Sequence, residues 1–234
     1  MGVSLFVTLR RLSPSVATGE APVNYWKNLV PHSDILPRSF YDRDVQLVAS
    51  ELLGKLLARR SRAGLCVGRI VETEAYLAEG DPACHCVKGK TKSNGTMFGK
   101  PGFAYVYPIH GRYCMNVVTE AAGRASAVLI RAVEPLVGVG IMQRRRHTEK
   151  MTDLCRGPAR LCEAFDVDRG LDGWDMTRGQ RSWIADNPAW DTGAANISHS
   201  PRIGVSSAKE FELRFFLDCS PFVSGPKRLS TRVG

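Results

Sequence analysis

The stretch FAYVYPIHGRYCMNVV, residues 103–118, contains two short strand-like runs separated by a turn. Residues 103–107 and 112–118 are rich in aromatic and branched side chains, and a Pro-Ile-His-Gly sequence connects them. Strands joined by so short a connection pair antiparallel. The stretch therefore predicts a β-hairpin with His110 at its tip.

Other predicted elements lie on both sides of this hairpin. Apolar residues at helical spacing follow the possible caps Asp42 and Asp44 and predict a helix that reaches Leu56. Further runs predict strands at 65–76, 126–133 and 212–217 and helices at 136–146 and 158–165. Strands cluster in the middle of the chain, and no β–α–β alternation is present. This order predicts a single α+β domain with a largely antiparallel sheet.

Composition limits the class of protein. The chain has 234 residues, of which 44% are hydrophobic and 24% charged, so collagen-like and wholly disordered proteins are excluded. It has no apolar run of about 20 residues, which argues against a membrane-spanning segment. The net charge of +9 favours a polyanionic partner. Residues 1–35 are expected to be a poorly ordered extension without a signal peptide, and 36–234 the folded domain.

The seven cysteines do not follow the spacing of a disulfide framework. We interpret them as small buried side chains of a protein in a reducing compartment. The one tight cluster, Cys84-His85-Cys86, offers possible zinc ligands but has no second pair at a usual distance. The sequence therefore predicts no metal site.

Charged residues interrupt two of the predicted strands. Glu72, Glu74 and Tyr76 share one face of a strand, which fits either the solvated face of an edge strand or a functional pair of carboxylates. Arg131 stands inside the apolar run 128–133 and needs an anionic partner if it is buried. Glu74 is the candidate partner, although a purely structural ion pair satisfies the same requirement.

The predicted hairpin also carries a row of aromatic residues. Phe103, Tyr105 and Tyr107 alternate along the first strand and therefore share a face, close to several basic residues. Such a row suits stacking on nucleobases. Packing within the sheet explains it equally well.

Taken in order, these segments resemble one known family. The series runs through GRIVETEAY at 68–76, MFGKPG at 97–102, YVY at 105–107, CMNV at 114–117 and LIRAVEP at 129–135. GPARLC at 157–162, PRIGV at 201–205 and LRF at 213–215 continue it. Together they are similar to the alkyladenine DNA glycosylases, also called methylpurine or 3-methyladenine DNA glycosylases. The likeness extends over residues 40–224.

This resemblance implies a base-excision enzyme that cleaves the bond between a damaged purine and its deoxyribose. Members are monofunctional, use no metal or other cofactor and act on double-stranded DNA. Expected substrates are of the 3-methyladenine, hypoxanthine and ethenoadenine type. The resemblance also implies a curved sheet, a protruding hairpin and a monomer without membrane association. We expect it in the nucleoid of a prokaryote or the nucleus of a eukaryote.

The family motifs assign roles to particular residues. Glu74 matches the general base, Arg131 the cation that keeps it ionised, and Ile203 a backbone carbonyl that contacts the attacking water. The family's pocket for the flipped base corresponds to Tyr76, His85, Tyr107, Asn116 and Leu129. Tyr76, His85 and Tyr107 match the aromatic clamp, Asn116 the residue that disfavours guanine, and Leu129 a wall. Candidates for contact with phosphates are Lys88, Lys90, Lys92, Lys100 and Arg112.

One functional position departs from the family pattern. His110 occupies the hairpin tip, where better-known members insert a tyrosine into the duplex. Two other classes of protein remain open. A catalytically silent damaged-DNA-binding protein needs the clamp but no base, and an RNA-binding sheet explains the aromatic row and the charge. Neither alternative requires Glu74 and Arg131 together.

Overall fold

The computed structural model of the protein describes residues 34–190 and 196–226, whose strands join in one antiparallel sheet. The strands are β1 (Leu56–Ser61), β2 (Gly64–Tyr76), β3 (Ala104–Ile109), β4 (Arg112–Thr119), β5 (Ser126–Val137), β6 (Ser182–Ala185), β7 (Ile197–Ser200) and β8 (Arg214–Leu217). Their order is β3-β4-β5-β2-β1-β6, and β8 joins β2 and β7. The predicted α+β class and antiparallel sheet are confirmed.

Strand β2 lies at the centre of this sheet. Its first half pairs with β1 and its second half with β8, while β5 runs along its other edge. Glu72 and Glu74 are therefore enclosed by neighbouring strands, and both are fully buried. The interpretation of these carboxylates as a solvated edge face is wrong.

Pairing between β2 and β5 is irregular beside the carboxylates. The register shifts on both sides of Glu72, and the pairing passes from Ala132 to Ile130 without including Arg131. Irregularities of this kind re-aim side chains that strict alternation would hold apart. Here they accompany the contact of Arg131 with two residues of β2.

Five short α-helices surround the sheet within the described ranges. They are α1 (Arg38–Tyr41), α2 (Val45–Glu51), α3 (Val139–Arg146), α4 (Met151–Leu154) and α5 (Pro158–Phe165). The Asp44 carboxylate caps α2 by accepting hydrogen bonds from the backbone N–H groups of Gln46 and Leu47. Helix α5 begins at Pro158, where a missing N–H costs nothing, and buries Leu161 and Phe165.

Two predicted helix boundaries are wrong. Helix α2 ends at Glu51, and Leu56 begins β1, because the chain turns at Gly54, whose φ of 85° favours glycine. The helix predicted from residue 136 starts only at Val139. Strand β5 continues to Val137, and the positive φ of Gly138 separates the two elements. Strands β1, β6 and β7 were not predicted.

The hairpin connection is shorter than the sequence indicated. Strand β3 extends to Ile109, which pairs with Arg112, so that the turn consists of His110 and Gly111 alone. Both residues have positive φ values, 46° and 75°, as type I′ hairpin turns require. The side chains at this end of the β3–β4 pair are exposed to solvent.

The main hydrophobic core packs between the sheet and helices α2 and α5. A smaller apolar cluster lies apart from it and includes Tyr105, Met97 and Cys84, with Tyr76 and Tyr107 at its border. No helix in the described ranges is long and apolar enough to cross a membrane. Of the predicted extension, residues 1–33 lie outside the described residues.

Candidate active site

Four charged side chains form a buried row of alternating sign across β8, β2 and β5. This charge row runs from Arg214 through Glu72 and Arg131 to Glu74. Nε of Arg214 and Nε of Arg131 lie 2.6 Å and 3.1 Å from Oε1 of Glu72. Nη1 of Arg131 lies 3.0 Å from Oε1 of Glu74. The predicted Arg131–Glu74 contact is present, but Glu72 and Arg214 had not been assigned to it.

Glu74 has one oxygen fully engaged and one with room for a further donor. Oε1 forms an ion pair with Nη1 of Arg131 and accepts a hydrogen bond from the backbone N–H of Ile203, 2.7 Å away. Oε2 accepts a hydrogen bond from the Tyr76 hydroxyl at 3.0 Å. Because a carboxylate oxygen accepts about two hydrogen bonds, Oε2 can accept one more in addition to that from Tyr76. The Ile203 contact seen here is made by its N–H, whereas its predicted role concerns its carbonyl.

Burial and charge act in opposite directions on the charge row. Burial would raise the pKa of Glu72, but the charges of Arg131 and Arg214 and the hydrogen bonds from Arg214 and Ser224 hold that pKa below its ordinary value. Burial would lower the pKa of Arg131, yet Glu74 and Glu72 raise it overall. Glu72 and Arg131 are therefore both charged at neutral pH.

An aromatic cavity lies directly beside Tyr76. Its lining consists of Tyr76, His85, Met97, Tyr105, Tyr107 and Asn116. The His85 and Tyr107 rings touch edge to face, with centroids 4.5 Å apart and planes at 73°. The cavity volume is about 10 Å³, enough for about one water molecule. The three rings that the sequence assigned to a clamp thus line one small cavity, and two of them, His85 and Tyr107, are in contact.

The Tyr105 hydroxyl holds the His85 ring in position. Its Nδ1 lies 2.9 Å from the Tyr105 hydroxyl, and desolvation lowers the pKa of the imidazole, which favours the neutral ring. Burial raises the pKa of Tyr105 to about 12, so that its hydroxyl keeps its proton at neutral pH. The Tyr105 hydroxyl can therefore donate to Nδ1 and leave the proton of the imidazole on Nε2.

The three residues of the Cys84-His85-Cys86 sequence point to different partners. The Cys84 thiol contacts the carbonyl of Ala125, and the Cys86 thiol contacts that of Leu77. Within residues 34–190 and 196–226, no group of three or more histidine, cysteine or acidic side chains is placed to hold a metal ion. The arrangement of His85 fits a contact with aromatic rings rather than metal ligation.

Asn116 and Leu129 lie side by side on paired strands. Nδ2 of Asn116 donates to the carbonyl of Tyr105 at 3.0 Å, which fixes the amide at the wall of the cavity. Leu129 is the cross-strand partner of both Asn116 and Glu74 and is 2% exposed. Leu129 is not among the residues that line the cavity, so its assignment to the pocket wall stays a prediction.

The aromatic cavity opens into a wider groove of about 600 Å³. Four residues, Tyr76, His85, Tyr105 and Tyr107, line both spaces, and residues 204–207 also line the groove. The five predicted phosphate contacts, Lys88, Lys90, Lys92, Lys100 and Arg112, are all exposed. Among these five, Lys88 is the one that lines the groove. His110 is exposed at the turn beyond Ile109, which forms the rim.

A second buried ion pair anchors the segment that contacts Glu74. The Arg202 guanidinium donates to both carboxylate oxygens of Asp81, at 2.7 and 2.6 Å, and to the carbonyl of Ala75 at 3.0 Å. It also stacks over the Tyr76 ring, 4.6 Å from the centroid. Arg202 directly precedes Ile203, so this anchor holds the backbone N–H that reaches Glu74.

Several residues of the site were missed because they act through long-range contacts. Arg202 and Arg214 lie in the segments PRIGV and LRF, which resemble the family. Local residue spacing, however, does not predict that either arginine contacts a residue near or in β2. Tyr105 had been placed in the aromatic row but not in the pocket, and the alternation of that row was the available signal. Met97 had no signal beyond its place in the MFGKPG segment.

The sequence matches known proteins along most of its length. Residues 39–221 match the methylpurine-DNA glycosylase family. A relative from Carboxydothermus hydrogenoformans named "Putative 3-methyladenine DNA glycosylase" is 45% identical over 191 residues, covering 81% of this chain and 98% of the relative. Relatives of the same name from Methanocella arvoryzae and Rhodopirellula baltica are 47% and 43% identical over 195 residues. Each alignment covers 81% of this chain, and 96% and 83% of the relative.

Proposed function

This chain belongs to the methylpurine-DNA glycosylase family, and we propose that it is a monofunctional DNA N-glycosylase of base-excision repair. It hydrolyses the bond between a damaged purine and deoxyribose and leaves an abasic site. Its substrates are double-stranded DNA with purines of the 3-methyladenine, hypoxanthine and ethenoadenine type. It acts as a monomer and without a cofactor.

The observation that supports this proposal most directly is the placement of Glu74 beside the aromatic cavity. Hydrolysis requires that water, a poor nucleophile, lose a proton to a base held in hydrogen-bond reach. Oε2 of Glu74 has an open acceptor position, while Arg131 and Ile203 hold Oε1. The contacts to Oε1 therefore orient the carboxylate, and Oε2 is the oxygen that accepts the proton of the water.

The same carboxylate stabilises the developing charge on the sugar. As the purine leaves, the deoxyribose becomes oxocarbenium-like and gains positive charge. A fixed anion in a water-poor site stabilises such a charge strongly, because little reorganisation is needed during the reaction. Nη1 of Arg131, 3.0 Å from Oε1, stabilises the negative charge on Glu74 that both roles require.

The base reaches the site by rotation out of the duplex. A purine within the stack is inaccessible, so the nucleotide flips into the aromatic cavity and stacks between Tyr107 and His85 on one side and Tyr76 on the other. A sandwiched base needs a gap of about 7 Å, twice the base spacing of about 3.4 Å in DNA. The cavity, with its volume of about 10 Å³, must therefore widen between Tyr76 and the His85–Tyr107 pair. Asn116 then faces the purine edge and opposes the amino group of guanine.

The proposal is tested with the Glu74→Gln variant on duplexes that contain hypoxanthine, ethenoadenine or 3-methyladenine. Single-turnover excision is followed by alkaline cleavage of the abasic product. We expect a loss of about 10²–10⁴-fold with lesion binding retained, because only the proton acceptor is removed. Glu210→Gln makes the same charge change at an exposed position and serves as the matched control.

Three results contradict the proposal in different ways. A near-native rate in Glu74→Gln removes the general base assignment. A wild-type protein that binds lesion DNA without releasing any base is the silent damaged-DNA binder. Activity that disappears in EDTA and returns with added zinc or magnesium contradicts a reaction without a cofactor.

A further inference from the structure

Arg131 is the single arginine shared by two buried carboxylates. Its Nε contacts Glu72 and its Nη1 contacts Glu74, and both glutamates are fully buried. One positive charge cannot fully compensate two negative ones in a medium of low polarity. If Glu72 had no other cation, the attraction of Arg131 for Glu74 would be divided.

Arg214 supplies the missing charge. It is fully buried and lies on β8, where it is the cross-strand partner of Glu74, yet its guanidinium turns to Glu72. Nη1 and Nη2 of Arg214 donate to the hydroxyl of Ser200 and the carbonyl of Ser224 at 2.9 and 3.1 Å. These contacts hold the guanidinium in place beside Glu72.

The charge row as a whole is electrically neutral. Two arginines alternate with two glutamates, so each glutamate has one cation for itself only when all four residues are present. Loss of Arg214 leaves a net charge of −1 in the buried row, and loss of Glu72 leaves +1. A buried group without its partner shifts the protonation of its neighbours.

We propose that Arg214 is a positioning residue for the general base, because it neutralises Glu72 and thereby leaves Arg131 to pair with Glu74. The inference rests on the function proposed above. It extends the catalytic assembly to a residue that touches neither the base nor the attacking water. Glu72 is then the link through which Arg214 acts on Arg131.

Other charged and titratable groups around Glu74 do not replace Arg214. Tyr76 donates its hydroxyl proton to Glu74, and burial followed by the charge of Glu74 raises the pKa of this tyrosine, so that it stays neutral. Tyr107 and Cys114 face the same carboxylate, and burial raises the pKa of both. Arg202 interacts with Glu74 electrostatically but is itself paired with Asp81.

Four variants separate the charge of Arg214 from its shape. Arg214→Gln makes the row negative, Glu72→Gln makes it positive, and the double variant restores neutrality. Arg214→Lys keeps the charge but loses the planar guanidinium and is the matched control. Each protein is first examined by circular dichroism and thermal melting. Single-turnover excision of hypoxanthine is then measured across pH, and the midpoint of the low-pH limb of the rate profile is compared.

The two single variants Arg214→Gln and Glu72→Gln are expected to shift the midpoint of the low-pH limb in opposite directions. In Arg214→Gln the limb moves to higher pH by about one unit, since two carboxylates compete for Arg131. In Glu72→Gln the limb moves to lower pH, because Glu74 is then the one carboxylate that pairs with Arg131. The double variant keeps the low midpoint of Glu72→Gln, because Glu74 is again the one carboxylate left to Arg131, and Arg214→Lys stays near the wild-type midpoint. Damage to the fold alone would not move the limb in opposite directions, nor make the effect of Arg214→Gln depend on the presence of Glu72.

The outcomes that overturn the inference are distinct from failure of the proposed function. A wild-type protein without activity on every lesion removes the proposed function. An active wild type whose limb stays in place in Arg214→Gln and Glu72→Gln removes the role of Arg214. If Arg214→Gln does not fold, the double variant is compared with Glu72→Gln. Equal midpoints in these two variants, both below that of the wild type, support the inference, and a limb that lies at higher pH in the double variant refutes action through Glu72.

Discussion

Removing the Arg202 side chain tests how strongly the second ion pair stabilises the site. In Arg202→Met the Asp81 carboxylate remains fully buried and keeps only the backbone N–H groups of Leu77 and Ala83 as donors. Breaking one partner of a buried pair costs about 3–5 kcal/mol. For a chain of this size, each kcal/mol corresponds to roughly 2–4 °C in Tm. We expect the melting temperature to fall by roughly 6–20 °C.

The same variant changes the pH dependence of stability. Burial would raise the pKa of Asp81, but hydrogen bonds and charge from Arg202 lower it in the folded protein. A carboxylate with a lowered folded-state pKa stabilises the protein above its unfolded pKa of about 3.9, and this stabilisation disappears as the pH falls. The difference between wild type and Arg202→Met should therefore be large at pH 7 and shrink below about pH 4.

Denaturant unfolding of a double-mutant cycle provides the measurement. Arg202→Met, Asp81→Asn and their combination are compared, with Arg62→Met as an exposed arginine control. We expect a coupling energy of about 1–3 kcal/mol, since the double variant buries no unpaired charge. The excision rate should fall more than lesion affinity, because Ile203 loses its anchor and Glu74 its N–H donor. Additive single effects would refute the role of the ion pair, and an unchanged rate would refute its link to Glu74.

Three further predictions concern DNA. His110→Ala should lower the flipped fraction of an ethenoadenine duplex by the loss of about 1–3 kcal/mol of stacking, and His110→Tyr should retain or raise it. Equal fluorescence with the wild type, His110→Ala and His110→Tyr would show that the turn does not contact the DNA. Asn116→Ser should raise guanine excision relative to hypoxanthine by about tenfold, and an unchanged ratio would contradict the steric role. Replacing Lys88, Lys90 and Lys92 by alanine should reduce the slope of log affinity against log salt by about 0.9 per lost phosphate contact, and an unchanged slope would place the contacts elsewhere.

Local patterns predicted those parts of the fold that local interactions determine. Asp44 caps its own helix and Pro158 begins one, so both signals lie within a single turn of chain. Leu56 was assigned to a helix by its spacing, but the turn at Gly54 carries the chain into β1. That turn packs against Trp190, over a hundred residues away in the sequence. The periodicity of apolar residues cannot predict a contact between such distant residues.

The site was predictable where a motif carries the chemistry, and not where pairing across the sheet does. Arg131 inside an apolar run demanded an anion, and Glu74 is one of its two partners. The burial of Glu72 depends on β8, whose register with β2 no local pattern reveals. The edge-strand interpretation followed from treating β2 alone, without strands on both of its edges.

The small volume of the aromatic cavity gives base capture a cost. At about 10 Å³ the cavity must widen before a purine can enter, and stacking of the base must offset the packing lost in that widening. Alkylation that leaves a purine positively charged strengthens its attraction to tyrosine faces, whereas an ordinary base lacks that advantage. Under the proposed function, a cavity of this size therefore favours capture of a charged, alkylated purine over capture of an undamaged base.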